Sequence, residues 1–461
     1  MFITCRLHFS STEDTQYFLS MNYYNQDGIV IETGFEKFSG RINLIHSLGD
    51  KLKVGINLNN SLEKEQTVPL GLGVNMTAGV VSTALQLPPT MPVFNDDGSY
   101  AMSLQDLSNS VAQAKTIDND GKIKRLFGNT YVTYNFLDNW NAKINLGYNQ
   151  RDVQRDIFWN TLTQRGLLVG GRASKDFDEN ADYLFEFTTE YKPTFGGSQE
   201  LTILGGYSFQ RFTSAGFNAS GQDFPTTSFR TNNLGAGDPA MNNIGSYRGE
   251  NTLLSGFGRL NYNYRDKYLL TATFRADGSS RFGEDSKYGY FPSGAVAWRI
   301  SNESFYPDNG LFNIFSDLKL RTSFGISGNQ EIGNGRSLVL LGTGPIAVLD
   351  GLEFQSIDPA QLANPDLRWE TTESLDVGLD FGLHNDRITG SIDYFVNNTR
   401  DLLLALPIPT TSGFSTSLQN VGDTRNRGIE FTVSSNNLVG DFNWTTDINV
   451  ATLQNKGDKP G

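Results

Sequence analysis

The stretch ESLDVGLDFGLHNDRITGSIDYFVN, residues 373–397, decides the fold. Leu375, Val377, Leu379, Phe381 and Leu383 alternate with Ser374, Asp376, Gly378, Asp380 and Gly382. Successive side chains of a strand point to opposite faces, so one face of this segment is wholly apolar. After His384-Asn385-Asp386 the period resumes, with Ile388, Gly390, Ile392, Tyr394 and Val396 set against Arg387, Thr389, Ser391, Asp393 and Asn397. The pattern is a hairpin of two long strands.

Working outward, the same unit recurs. Leu260, Tyr262 and Tyr264 lead through Arg265-Asp266-Lys267 to Tyr268, Leu270, Ala272 and Phe274. Ile42 and Leu44 lead through Gly49-Asp50 to Leu52, Val54, Ile56 and Leu58, and Val132, Tyr134 and Phe136 lead through Asp138-Asn139 to Trp140, Ile144 and Leu146. Tyr183, Phe185 and Phe187 precede Leu201, Ile203 and Tyr207; Ile429, Phe431 and Val433 precede Trp444, Ile448 and Val450. Short turns alternate with long connections, which the alternation places at 61–124, 151–181, 212–252, 277–288, 328–369 and 398–426. A soluble sandwich has no reason to sort its loops by parity, whereas an outer-membrane barrel keeps short turns on one side and long loops on the other. The alternating runs span about 10 to 13 residues, suited to a tilted crossing of a hydrocarbon layer. Trp140, Trp298 and Trp444, with Tyr262, Tyr264 and Tyr268, all fall beside short connections, as an aromatic girdle requires.

Composition agrees. Of 461 residues 38% are hydrophobic and 12% aromatic, and 48 are glycine. No run approaches the roughly 20 apolar residues of a spanning helix. A membrane barrel needs none, because alternate side chains face lipid and water. The net charge of -13 disfavours binding to nucleic-acid phosphate, which needs a basic stripe. Cys5 is the lone cysteine and can form no internal disulfide; it reads as an incidental thiol. MFITCRLHFSSTEDTQ, residues 1–16, lacks the ordered regions of a signal peptide and looks foreign to the rest, so the expectation is that the biological start lies upstream.

Specific motifs then make a family visible. LLSGFGRLNYNYRDKYLLTATFRADGSSRFG (253–283), YGYFPSGAVAWRISNESF (288–305), LKLRTSFGISGNQEIG (318–333), NPDLRWETTESLDVGLDFGL (364–383) and NVGDTRNRGIEF (420–431) occur in order. With NYYNQDGIV (22–30), the chain from Tyr17 to Gln454 resembles the barrel of SusC/RagA-type TonB-dependent transporters. The resemblance implies an all-β fold, a transmembrane antiparallel β-barrel of outer-membrane transporter type. It divides the chain into a non-family stretch at 1–16, barrel at 17–454 and a truncated end at 455–461. About fifteen strands are legible against the roughly twenty-two that the resemblance implies, so the expected barrel is incomplete, its plug and terminal strands missing. It further implies a bacterial outer-membrane importer of oligosaccharides or peptides, partnered by a SusD-like lipoprotein, by the TonB complex through N-terminal parts, and by outer-membrane lipid. No nucleic acid, cofactor or covalent chemistry is implied.

The residues themselves suggest no enzyme. His8, His46 and His384 stand far apart at no metal-ligand spacing. NDDGS (95–99) and DNDGK (118–122) resemble fragments of calcium loops, but neither continues to the bidentate Glu of an EF-hand; acidic turns are the plainer reading. SLQDLSNSVAQAK (103–115) has helical spacing at Leu104, Leu107 and Val111 and reads as a short capped helix inside a loop. RADGSSRFG, with Arg275 and Asp277 on the polar face, and NPDLRWE read as rim structure rather than substrate contacts. Tyr100, Phe217, Phe224, Phe229 and Tyr247 fall in the long connections, where they would stack on sugars or merely pack the loops. No catalytic, metal or cofactor residue is assigned, and the ligand-binding residues are left open. Two alternatives stand beside the importer: a secreted soluble β-rich glycan-binding or adhesion protein, and an inactive transporter fragment.

Overall fold

The computed structural model describes residues 2–8, 12, 14–69, 71, 79–102, 107–306 and 314–458, the first strand by its backbone alone. It is built from β1 (Phe2–His8), β2 (Thr15–Asp27), β3 (Gly34–Leu48), β4 (Leu52–Gln66), β5 (Asp118–Leu137), β6 (Trp140–Trp159), β7 (Arg172–Tyr191) and β8 (Gln199–Gln222). There follow β9 (Asn243–Tyr264), β10 (Tyr268–Ser279), β11 (Tyr288–Arg299), β12 (Phe315–Asn329), β13 (Leu341–Leu349) and β14 (Leu352–Pro359). The last are β15 (Glu370–Leu383), β16 (Ile388–Arg400), β17 (Leu403–Pro407), β18 (Thr416–Asn420), β19 (Asp423–Leu438) and β20 (Trp444–Asp458). Three short helices, α1 (Val80–Gln86), α2 (Ser110–Thr116) and α3 (Gln164–Leu167), lie in connections. No described helix is long and apolar enough to cross a membrane.

Sixteen strands hydrogen-bond in chain order, β1 through β12, then β15, β16, β19 and β20; β13–β14 and β17–β18 form separate hairpins. The ordered pairings are antiparallel, so each connection returns the chain to its neighbour. The parity of the connections holds. Residues 49–51, 138–139, 265–267 and 384–387 are short turns, whereas 67–117, 223–242, 330–369 and 401–422 are long. The tight turns use left-handed backbone: Arg265 and Asp266 have φ of 53° and 51°, and His384, Asn385 and Asp386 have 53°, 57° and 60°. Asn and Asp tolerate that region best.

Strand length departs from the expectation of 10 to 13 residues: β5, β6 and β7 have 20, β9 has 22 and β8 has 24. Apolar alternation measures only the band facing hydrocarbon. Past it, as in 211–222 of β8, the regular apolar alternation lapses while the strand continues. The connections expected at 61–124 and 212–252 shrink accordingly to 67–117 and 223–242, and those at 328–369 and 398–426 contain hairpins. In 103–115 the first four residues lie outside the described ones. The helix begins only at Ser110, because the Asn109 side chain accepts from the amides of Val111 (3.0 Å) and Ala112 (3.2 Å).

By their contacts the residues form two units, Met1–Val132 with Asn145–Leu184 and Arg211–Glu250, and Thr133–Ile144 with Phe185–Gln210 and Asn251–Gly461. Each has its own apolar clusters at the long connections: Val68, Val80 and Ala114, and Phe158, Ala173 and Phe224, in the first; Phe282, Phe291, Ile332, Leu367 and Trp369 in the second.

Within the second unit the sheet is inside-out by the standards of a water-soluble protein. Register sets Leu375 against Phe324 and Val396, Val377 against Tyr394, Ile392 against Phe431, and Phe431 against Val450, one continuous apolar face. That face is the open one: Val377 is 40% exposed and Ile392 42%, while Asp393 on the opposite face is 9% exposed. The arrangement is stable only where the solvent around the apolar face is hydrocarbon. Placing lysine at Val377 or Ile392 is expected to destabilise the folded barrel wall by about 2 to 4 kcal/mol near mid-depth. Denaturant unfolding in lipid vesicles measures this, and a V377K protein as stable as the parent would contradict the lipid-facing assignment.

Candidate functional site: the polar face and its two ends

The polar face of β12, β15 and β16 is organised by one guanidinium. Arg321 lies on β12 opposite Gly378, which lies opposite Asp393. From there Arg321 reaches Asp376 (Nη1, 3.1 Å), Asp380 (Nε, 3.0 Å) and Asp393 through Nη2, and Lys319 adds a second contact to Asp380 at 3.0 Å. Gly378 permits this. A Cβ there would stand 2.6 Å from the Arg321 Cζ and closer still to Asp393. Arg275 and Asp277, also on the polar face, pair at 2.9 Å, and the Arg275 guanidinium covers the Phe257 ring at 5.0 Å.

In the first unit a run of amides crosses the polar face. Asn57 donates to Asn129 (3.4 Å) and Asn129 to Asn145, while Asn43, with its amide turned, donates to Asn57 at 3.2 Å. These four side chains run as a ladder across β3, β4, β5 and β6. Beside it opens a cleft of about 510 Å³ whose lining includes Lys37, Arg41, Asn59, Arg125, Phe127 and Asn149. A second cleft of about 570 Å³ lies at the long-connection end of the same strands and carries Glu36, Lys64, Asp120, Lys122 and Asp156, with Lys64 and Glu36 paired at 3.5 Å.

The long-connection end of the second unit joins the sequence motifs. Trp369 of NPDLRWE packs on Phe282 of RFG and on Phe291 of YFPSG, each at 5.3 Å, and its indole donates to the Lys287 carbonyl. Arg281 donates to the Gln330 carbonyl and pairs with Glu331 of GNQEIG at 3.0 Å. Asn420 of NVGDTRNRG and Arg368 exchange two hydrogen bonds, at 2.8 and 2.9 Å, and Asp401, 2.6 Å from Arg368, holds that guanidinium's pKa above its usual value. Phe282 and Leu367 are buried. These motif residues thus tie the long connections of the second unit to one another.

At the short-turn end Glu303 closes a clasp. It accepts from Tyr268 (2.6 Å) and Trp298 (3.1 Å) and pairs with Lys267 (2.9 Å). The Tyr268 hydroxyl, then Lys267, hold its carboxyl down to about 2. Tyr264 stacks on Tyr268, and Trp140 packs against Phe136 (5.0 Å) and Tyr191 (5.4 Å), so the girdle is real at this end.

The remaining candidates scatter. His46 bonds Thr15 at 2.7 Å, His384 occupies a turn, and the side chain of His8 lies outside the described residues. Residues 118–122 are not a loop at all but the start of β5, and Asp118 is taken by Arg230 at 3.0 Å. In 95–99 Asp97 accepts from Ser99 twice, which lowers its pKa, and Gly98 at φ 81° completes a tight acidic turn. Among the described residues no His, Cys, Asp and Glu group could hold a metal. Of the five aromatic candidates, Phe224 is buried in a cluster, Phe217 and Tyr247 lie in strands rather than loops, Phe229 sits in a helical turn and Tyr100 pairs with Phe94. The structure does not bring them together as one site. The polar cleft around Arg41 and Arg125 was missed, because β2 to β4 meet β5 and β6 there only across the long connection 67–117, whose closure no local pattern announces.

Comparison with known proteins places this geometry. Residues 77–460 match the family model described as TonB dependent receptor-like, beta-barrel. The chain is 34% identical over 457 residues to TonB-dependent receptor P3 of Formosa agariphila, covering 98% of this chain and 45% of that protein. To SusC of Bacteroides thetaiotaomicron it is 29% identical over 477 residues, covering 95% and 45%. The RagAB peptide transporter structure superposes with a TM-score of 0.85 at 24% identity, over 97% of this chain and 50% of that one. The chain therefore spans about half the length of the curated relatives it matches.

Two consequences are measurable. Gly378→Ala should push Arg321 off Asp393 and cost about 1 to 3 kcal/mol, as overpacking does, whereas Gly256→Ala, where a Cβ meets nothing, should cost far less. Denaturant midpoints compare them, and equal midpoints would remove the hub from the account. Glu303 is depressed from 4.5, so its contribution is fully present above pH about 4.5 and is lost as pH falls toward about 2. Trp298 fluorescence should therefore stay native at pH 5 and change between pH 4.5 and 2, and Glu303→Gln should abolish that transition; a transition retained in the variant would assign it elsewhere.

Proposed function

Since this chain belongs to the TonB-dependent receptor-like β-barrel family, we propose that it forms barrel wall of an outer-membrane nutrient importer of the SusC/RagA type. The observation that carries the reading is the inverted sheet: an open apolar face with an aromatic girdle at the short-turn end, and an opposite face of amides and ion pairs. Lipid covers the first and an aqueous conduit runs along the second.

The cargo is an oligosaccharide or peptide, and the work is capture and passage rather than covalent chemistry. Long connections tied by the Trp369 knot form the outer rim, where a SusD-like lipoprotein would sit. The β13–β14 hairpin supports a protein partner there, since Ile346, Val348, Leu352, Phe354 and Ile357 are each at least 50% exposed, more apolar surface than a solvated loop leaves open. TonB engages parts of the whole protein on the short-turn side. The supporting relatives are receptors and transporters by name. A secreted soluble adhesin would leave the apolar face in water.

The test uses the whole protein in its membrane. Tags within 67–117, 330–369 and 401–422 should label on intact cells, and uptake of oligosaccharide or peptide should stop when the proton-motive force is collapsed. Labelling only at 384–387 or 439–443 would invert the orientation, and uptake indifferent to energisation would remove TonB from the reading.

A further inference from the structure

We infer that the polar-face cleft of β2 to β6 is a binding site for an anionic oligosaccharide, a sugar chain bearing carboxylate or sulfate. This rests on the reading of that face as a conduit wall and names the cargo class it would select.

The chain carries 50 acidic and 37 basic residues, yet among the described residues no carboxylate lines this cleft. Lys37 is matched by Glu63 at 2.9 Å. Arg41 has one hydrogen bond, to Asn43 at 3.3 Å, and no ion pair; Arg125 has neither among the described residues. Some arginines elsewhere on the polar faces are held by acids, as Arg321 is by three and Arg155 by Glu65, and it is the absence of a lining carboxylate that sets this cleft apart. Two exposed guanidiniums with no carboxylate partner among the described residues therefore line this cleft.

Register sets their spacing. Arg41 lies opposite Asn59 on β4, and the Asn57 to Asn129 bond aligns β4 with β5, so Arg125 sits two strands away and about two residues along. Strand spacing and rise put the two Cα atoms about 12 Å apart, within the span of a short oligosaccharide reached by both side chains. Each guanidinium offers a planar fork that matches a carboxylate or sulfate with two parallel hydrogen bonds. Between them Asn59 supplies an amide for hydroxyl groups, and Phe127, 46% exposed, presents a ring face suited to a sugar's C–H face.

The same geometry disfavours a peptide. Extended peptides gain affinity by adding a strand to a free edge, and β3 is already paired on both sides, to β2 and to β4, with its backbone groups used. Nor does the cleft offer a closed apolar pocket for a side chain.

The experiment is titration of the 461-residue chain in detergent micelles. The probes are a galacturonate tetramer, its fully methyl-esterified neutral counterpart, a sulfated galactan tetramer and tetraglutamate. At least one of the two anionic sugars should bind, and the neutral ester should bind at least tenfold more weakly. Arg41→Gln and Arg125→Gln should each weaken binding at least tenfold with unchanged strand signal in far-ultraviolet circular dichroism. Arg125→Lys should retain part of it, Lys64→Gln outside the cleft should change nothing, and raising salt should weaken binding throughout. Binding of neither anionic sugar, equal binding of the ester, insensitivity to both arginine variants, or preference for tetraglutamate would each overturn the assignment. Because binding in micelles needs neither TonB nor a membrane potential, its failure would leave the importer reading standing, and loss of energised uptake would leave the site standing.

Discussion

Hydrocarbon offers no hydrogen bonds, and everything else in this structure follows from that constraint. Each backbone amide within the apolar band must find its partner on the neighbouring strand, since an unpaired one costs several kcal/mol there. Pairing in chain order satisfies it for every strand between the two edges, β1 and β20, and antiparallel pairing makes the connections alternate between two ends. The side chains then sort by solvent rather than by a buried centre. Val377 and Ile392 are open, and Asp393 is sheltered among Arg321 and its acids.

The polar face has to solve a second problem, which is to hold charges without leaving them unpaired in a crowded groove. In the second unit ion pairs do so, and one glycine decides the geometry. Gly378 is small enough for Arg321 to cross β15, meeting Asp376 and Asp380 there and Asp393 on β16 beyond it. In the first unit amides do the same work through the Asn43, Asn57, Asn129 and Asn145 ladder. Arg41 and Arg125 line a cleft that has no lining carboxylate to pair them.

At the long-connection end the apolar cluster is conventional. Leu367 and Phe282 are fully enclosed, and Trp369 joins three segments separated by as many as 87 residues, from 282 to 369. Such a knot ties the long-connection ends of the second unit's strands to one another. At the opposite end Glu303 performs the matching task with polar bonds to Tyr268, Trp298 and Lys267, because that end carries girdle aromatics with polar tips.

How much was legible depended on the range of each interaction. Alternation at 373–397 determined the strands, their lipid-facing side and the parity of turns and loops, because a period of two depends only on neighbouring residues and on the solvent each face meets. The motifs around Trp369 likewise announced a rim. Strand ends were not legible: in 211–222 the ladder continues after apolar alternation stops, since backbone pairing needs a neighbour and not a pattern. The hairpins β13–β14 and β17–β18 were hidden in loops for the same reason, and Asp118 to Lys122, turn-like in composition, is strand because its neighbours pair it. Only the tertiary structure could bring Arg41 beside Arg125 or Arg321 to Asp393. Those juxtapositions are set by register between strands distant in the chain, and register is fixed by the whole ladder, not by any segment of it.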